Sequence, residues 1–390
     1  MREKFLSGTK NTTIIIFSVC FISMIFLFLL CQQAPATGNT DAKSISSLIS
    51  VIEGTYSYNI LEHGNNVLVV SPEIGGRIMG VSIDGLAGKN LLWADKSLYK
   101  KDMELNASGG HRSWIAPEDG FFYRGNGEWF VQKSMDPGMY NIIKAEENYI
   151  SLSNKFVIRE GKGNLYDLEL KKDISVIDNV PLQNSDLPPD IKFLGYNYKH
   201  SLVNLSKKTV GKDVPFVGLW SLIQVNPPGT MIIPVRKSHE NEKPYNVFIE
   251  ETFTPERMAL NDNVLSFKID GKKREKYGIT SEFAGNYIAY LSPSQELLII
   301  KKFDVDPKGH YVDGLWHKPR EKGDVIQMYN SESPIDGFAE MECHGPVKTL
   351  KTEEEETHSI DVYIFCGNVE KLKIIGSEIM GIDLNNVVCF

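Results

Sequence analysis

Cysteine is scarce in this chain and poorly placed for crosslinks. Five occur in 390 residues, and Cys20 and Cys31 fall in an apolar N-terminal run, leaving Cys343, Cys366 and Cys389. There is no Cys-x-x-Cys pair and no Cys–His ligand spacing, so a structural zinc site is not expected. Three cysteines cannot all pair, and Cys343 and Cys366 alternate with strand-like neighbours as small core residues do. Basic stripes are also missing. The net charge is −8, and three of the four charges in residues 1–36 are basic (Arg2, Lys4 and Lys10), so the remainder is more acidic still. That excludes the electrostatic footprint of a nucleic-acid binder. No Gly-x-Ser-x-Gly elbow, phosphate-cradling glycine loop or His-Glu-x-x-His pair occurs either. Neither a metal nor an organic cofactor is expected. Sustained helical periodicity is absent from about Gly54 to Gly367, and so is a fixed repeat, which sets aside helical bundles and propellers.

What is present begins with an export signal. Arg2, Lys4 and Lys10 precede Thr12 to Leu30, which carries no charge. Three fates fit. Ala34-Pro35-Ala36 has the small-x-small form of a signal-peptidase site. Leu30-Cys31 resembles a bacterial lipobox with a bulky residue before the cysteine. Left uncleaved, the run is about long enough to span a bilayer. Residues 1–36 are therefore expected to be a signal peptide or membrane anchor, with the protein exported to the bacterial cell envelope, periplasmic or outer surface. Residues 37–54 read as a small, polar linker and one short helix, because Ile45, Leu48, Ile49 and Ile52 recur at helical spacing.

From Gly54 onward the period changes to two. Asn66–Val70 and Arg77–Ile83 read as strands around a turn. Tyr166, Leu168, Leu170, Ile174 and Val176 alternate with charged neighbours, as in a half-buried antiparallel strand. Leu194, Tyr196, Tyr198, His200 and Leu202 alternate likewise. Later strands are expected at Asn286–Leu291, Leu297–Phe303, Phe338–His344 and His358–Phe365, and a last short helix over Val369, Leu372 and Ile375. Glu353–Glu356 reads as a solvated hairpin tip. The fold class is all-β, a sandwich with few short helices, and residues 55–390 form one domain.

The densest chemistry is Gly109-Gly110-His111-Arg112-Ser113-Trp114-Ile115-Ala116-Pro117-Glu118. Two glycines allow a turn or a close approach, and an imidazole, a guanidinium, an indole and a carboxylate follow. Such a mixture suits a polyhydroxylated ligand, with flat hydrocarbon for C–H faces and charged groups for hydroxyls. The alternative is a structural turn in which Trp114 is core and Arg112 pairs with Glu118. His200 shares a face with Tyr196 and Tyr198, as in a sugar platform or a hydrogen-bonded aromatic layer. Glu340 and Glu342 share a face with Phe338 and His344. The loop pair Trp316-His317 could cover a groove, and Asn106-Ala-Ser108 and Asn204-Leu-Ser206 fit the glycosylation sequon.

In order, these features resemble the galactose mutarotase-like proteins, the aldose 1-epimerases and their relatives. Val67–Trp93 looks like that family's opening strand, Gly-Gly-Arg-Ile turn, second strand and Asn-Leu-Leu. Tyr198–Gln224 looks like its central strand, Asn-x-Ser turn and site strand. Phe338–Leu350 resembles its late strand, which carries a glutamate and runs into Gly-Pro and Thr-Leu. The likeness covers roughly residues 55 to 366, and the Gly-Gly-His-Arg-x-Trp-x-Ala-Pro-Glu segment resembles a functionally uncharacterised exported branch. It implies a β-supersandwich with a sugar-sized groove. It also implies that Glu342 is the base of a ring-opening epimerase or mutarotase, and that Arg77, Trp220 and Gln224 are binding residues. Where mutarotases carry the acidic histidine, Gly218–Gln224 has none, and His111 or His200 could substitute. The sequence thus leaves three readings: a sugar isomerase, a non-catalytic glycan-binding module, and a structural envelope lipoprotein. A sugar or glycan is the expected partner, with Arg77, Arg112, Trp114, Glu118, Tyr198, Trp220, Gln224 and Glu340 contacting it.

Overall fold

The period-two stretches become strands, numbered β1–β19 along the chain. They belong to a computed structural model that describes residues 44–95, 108–124, 127–183, 186–236, 243–249, 254–315, 322–333 and 337–390. One sheet runs, in spatial order, β1 (Asn59–His63), β2 (Asn66–Ser71), β3 (Arg77–Ser82), β4 (His111–Ala116), β9 (Gly218–Val225), β18 (Ala339–His344), β17 (Asp324–Glu332), β14 (Lys272–Thr280) and β11 (Asn246–Val247). The other runs β12 (Met258–Asn261), β13 (Val264–Ile269), β10 (Gly229–Pro234), β15 (Tyr287–Ser292), β16 (Leu297–Phe303), β19 (Glu355–Cys366), β8 (Lys192–Asn204), β7 (Leu165–Ile177), β6 (Tyr149–Arg159) and β5 (Asn141–Glu146). Neighbours pair antiparallel throughout.

The sheets bury their facing sides against each other. Ile78, Ile115, Leu219, Ile223 and Met341 of the first join Leu170, Ile174, Leu202, Ile299 and Val362 of the second in one core. Each such side chain removed from water contributes about 1.5–3 kcal/mol. Residues Ser44–Phe390 form one compact unit. The apolar run and its candidate cleavage sites lie outside the described residues, as do Asn106 and Trp316-His317. Among the described residues, no helix is long and apolar enough to cross a membrane.

Helix α1 (Ile45–Ile52) starts at Ser44, whose hydroxyl accepts from the Ser47 amide at 3.1 Å. Its buried Ile45, Leu48 and Ile52 pack on Val67, Val69 and Met79 of β2 and β3. Helix α2 (Glu118–Phe121) is a single turn after β4. Helix α3 (Val369–Met380) lays Leu372 and Ile375 on Leu298, Ile300 and Phe365 behind the second sheet. The Asn368 side chain caps α3, accepting from the amides of Glu370 and Lys371 at 3.1 and 3.3 Å. Asn368→Ala is expected to cost about 1 kcal/mol, because two orphan donors lose their acceptor. Thermal unfolding checks this, and an unchanged midpoint would dismiss the cap.

Two local expectations are corrected. The Gly109–Glu118 segment is chiefly a fully buried strand, β4, rather than a turn. Glu353 and Glu354 are exposed, but β19 begins at Glu355, so alternation turns Glu356 inward, where it is buried. Cys343, Cys366 and Cys389 are all free thiols. Asn204 is buried and its amide donates to the Lys208 and Leu350 carbonyls, so that sequon is structural.

Candidate functional site

Gly109 and Gly110 let β4 enter the first sheet. Their φ values are +93° and +74°, and a Cβ on Gly110 would stand 2.0 Å from the Ile78 carbonyl oxygen. Only glycine allows both the angle and the approach. Once inside, β4 alternates. His111, Ser113 and Ile115 face the second sheet; Arg112 and Trp114 face away from it.

The register then assembles three rungs on that outward face. Gln224, Glu340, Tyr329 and Lys276 lie side by side on β9, β18, β17 and β14. Arg112, Leu222, Glu342, Gln327 and Gly278 make the next rung, and Trp114, Trp220 and His344 the third. Five strands, separated by more than two hundred residues of chain, thereby gather one polar, aromatic cluster, nearly all of it buried.

Its charges are interlocked. Arg112 Nη2 donates to Glu340 Oε1 at 2.7 Å, Gln224 Nε2 donates to the same oxygen at 3.0 Å, and the guanidinium lies 4.0 Å over the Trp114 ring. Lys276 Nζ donates to Glu118 Oε2 at 2.9 Å and stands 3.6 Å from Glu342 Oε2. Trp220 Nε1 donates to Glu342 Oε2 at 2.9 Å, and the His344 ring stacks on Trp220 with centroids 5.4 Å apart. Asp313 arrives from a loop: it accepts from the Glu118 amide and from Gln327 Nε2, both at 2.9 Å, and lies 3.7 Å from His344 Nε2. At the β3 side, Arg77 clamps Asp136 with bonds of 2.8 and 2.7 Å, and Trp114 Nε1 donates to the same carboxylate at 2.6 Å.

Several buried atoms on this face have no hydrogen-bond partner among the described residues: Glu342 Oε1, Gln327 Oε1, Gln224 Oε1 and both ring nitrogens of His344. Native interiors rarely leave such groups unmatched, and a cluster of them marks a place for a polar occupant. Electrostatics tune the same groups. Burial raises the Glu342 pKa to about 8, with Glu340, Glu118 and Asp313 adding to the rise and Lys276 opposing it. Burial alone would lower Lys276, yet Glu118, Glu342 and Asp313 raise it above the usual lysine range and keep it cationic. Burial, then Lys276 and Lys301, push His344 well down, so its imidazole is neutral.

The inward face carries a second polar layer. His111 bonds Tyr196 OH at 3.1 Å and Ser221 Oγ at 2.8 Å, and its ring stacks on Tyr198 with centroids 3.9 Å apart. Ser113 bonds Tyr198 OH at 2.9 Å and His200 Nδ1 at 2.8 Å, and His200 continues to His358 at 3.2 Å. His111, His200 and Tyr198 are therefore not brought to Glu342. His111 neighbours Arg112 on one strand, and neighbours on a strand point to opposite faces. Of the other residues singled out in the sequence, Arg112, Trp114, Glu118, Trp220, Gln224, Glu340 and Glu342 gather on the outward face, and Arg77 joins through Asp136. The Arg112–Glu118 pairing of the alternative, structural-turn reading does not form: Arg112 takes Glu340, and Glu118 takes Lys276.

Burial lowers the pKa of His111, His200 and His344, and of His358 to about 3, from 6.5. Below pH 6.5 the unfolded chain takes up protons that the folded chain refuses, so this stability is intact above 6.5 and lost as pH falls. Glu342 and Glu356, raised from 4.5 to about 8 by burial, act oppositely: the fold gains from them as pH drops from 8 toward 4.5. Glu275 is raised by burial as well, and the four histidines outnumber these three carboxyls. The urea midpoint is expected to fall between pH 6.5 and 4.5, and a flat or rising profile would count against a neutral histidine layer.

Lys276, His344, Asp313, Gln327 and Asp136 were not singled out as site residues from sequence. Only His344 carried a signal, its shared face with Glu340 and Glu342. The others reach the surface by register or from loops, which no local pattern encodes.

Residues 46–389 match the family of unknown function DUF6786. The chain belongs to this family. Among solved structures, the DUF6786 protein resembles a candidate aldose 1-epimerase from Escherichia coli K12, with a TM-score of 0.50 and 14% identity over 79% of this chain and 98% of that one. A candidate aldose 1-epimerase from Klebsiella pneumoniae gives a TM-score of 0.47 and 10% identity over 87% and 91% of the two chains. A galactose mutarotase-like protein from Lactobacillus casei gives 0.45 and 10% over 79% and 100%. No curated protein matches the sequence. The DUF6786 fold is thus the galactose mutarotase-like β-sandwich.

Proposed function

We propose that this DUF6786 protein binds a sugar on the outward face of the first sheet and interconverts its anomers. The observation that carries the reading is the set of unpartnered buried polar atoms at Glu342, Gln327, Gln224 and His344, beside the indoles of Trp114 and Trp220. The two glutamine oxygens accept, while a protonated Glu342 donates and a neutral His344 does both, so the set selects an occupant whose groups donate and accept, as the hydroxyls of a pyranose do.

The chemistry follows from the two titratable groups. Burial favours the protonated form of Glu342 against the pull of Lys276, while His344 is neutral with unpartnered ring nitrogens. The Glu342 carboxyl donates its proton to the ring oxygen as His344 takes the proton of the anomeric hydroxyl. The C1–ring oxygen bond breaks, leaving an open-chain aldehyde, a carboxylate and an imidazolium. The C1–C2 bond rotates and the hydroxyl attacks the other carbonyl face. The carboxylate recovers its proton and the imidazolium returns the other, so atoms and charge balance. This pairing reverses the initial roles expected of a glutamate base and a histidine acid, because burial keeps the carboxyl protonated.

The test is anomer exchange of glucose and galactose, followed by saturation-transfer NMR with the wild type and Glu342→Gln. Equal rates would remove the isomerase reading. A second reading, a glycan-binding module without turnover, is favoured by Lys276 already holding Glu118 and Glu342, and it expects sugar binding with no exchange.

A further inference from the structure

The four described tryptophans divide sharply. Trp93, Trp114 and Trp220 are buried, whereas Trp129 is 42% exposed. It sits on a small hairpin that leaves α2: Arg124 N donates to Glu128 O and Phe130 N to Phe122 O, both at 2.9 Å, with Tyr123 bridged to Trp129. The helix begins at Glu118, the carboxylate that holds Lys276, and the hairpin follows one helical turn later. The Trp129 ring lies 6.2 Å from Trp114 and 6.3 Å from Phe122, nearly parallel to the latter. Trp114 belongs to the third rung of the site. Ring contacts therefore run from the buried rungs to a part-exposed indole. A core does not need that extension, and an exposed indole continuous with a polar site marks a contact surface.

We infer that Trp129 is the platform of a second subsite, and that the ligand is a neutral oligosaccharide rather than a free monosaccharide. This rests on the sugar reading above. One ring pairs with the free polar atoms of Glu342, Gln327 and Gln224, and the next lies with its C–H face on Trp129. The cations along the path face carboxylates, Arg112 paired with Glu340, Lys276 with Glu118 and Arg124 with Glu128, while Arg274 donates to the Tyr329 hydroxyl and is attracted by Glu118. Uronate or sulfated chains would meet as much repulsion as attraction, so the linked rings are uncharged. Anomer exchange then acts at the reducing end of a chain.

The test uses the full chain in detergent on an array of glucose, galactose, mannose and N-acetylglucosamine with their di- to hexasaccharides, followed by calorimetry on the best oligomer and its monomer. The wild type is expected to bind that oligomer at least about tenfold tighter than the monomer. Trp129→Ala removes the gain, Trp129→Phe keeps most of it, and monomer affinity is the same in all three. An oligomer-to-monomer ratio unchanged by Trp129→Ala overturns the subsite. Monomer binding and anomer exchange without any oligomer gain overturns it too, and leaves the sugar reading standing. Binding of neither class ends both.

Discussion

Glu342→Gln is expected to slow catalysed anomer exchange by about 10²- to 10⁴-fold, the range of a positioned acid or base. Glutamine fills the same volume and can still accept the Trp220 N–H, so binding should change little. The amide cannot deliver a proton to the ring oxygen. The wild-type rate should also fall as pH rises through about 8, because the active form carries the Glu342 proton and loses it there. Below that pH the profile holds until the proton acceptor, His344, titrates. A rate that climbs through pH 8 after correction for the uncatalysed reaction would assign the opposite roles. Loss of sugar affinity together with rate would point instead to a collapsed site, which the retained Trp220 contact argues against.

Arg77→Ala carries the largest expected effect on stability, about 3–5 kcal/mol, because it strands a buried charge. Arg77 is fully buried and Asp136 nearly so. Two bonds from the guanidinium and one from Trp114 satisfy the carboxylate, and Arg77 Nη1 also reaches the Gly109 carbonyl at 3.2 Å. Removing the cation leaves Asp136 with a single donor in a dry interior. The pair ties β3 to the loop at 136 and to the glycine entry of β4, so its loss should also loosen the Trp114 rung. Adding Asp136→Asn should recover a good part of the loss, since a neutral amide needs no counter-charge. Urea unfolding of the wild type and the two variants reads this. A single-variant loss under about 1 kcal/mol would mean that the ion pair is screened as surface pairs are.

Much of the fold was legible because its strands repeat a two-residue pattern over long runs. The alternation at 165–177 and 192–204 locates β7 and β8 within a residue or two, and helical spacing locates α1 and the start of α3. The segment at 111–116 was opaque for a physical reason. All six residues of β4 are buried, so it shows no alternation of polarity, and its charged side chains pair across the sheet rather than with solvent. Glu356 misled for a related reason: in a run of four glutamates nothing local marks where the turn ends and the inward-facing strand begins.

Chemistry written in neighbouring residues was available to sequence reading: the Arg-x-Trp step of β4, the Glu-x-Glu-x-His face of β18, and the absence of a histidine from 218–224. Which faces they occupy, and who meets whom, only the folded sheet decided. Side-chain direction reverses at every residue of a strand, so His111 and Arg112 part company despite adjacency. Antiparallel register brings Lys276 to Glu342 although the chain separates them by dozens of residues. Local composition sets the inventory of groups; long-range pairing sets their geometry, and proton transfer depends on geometry.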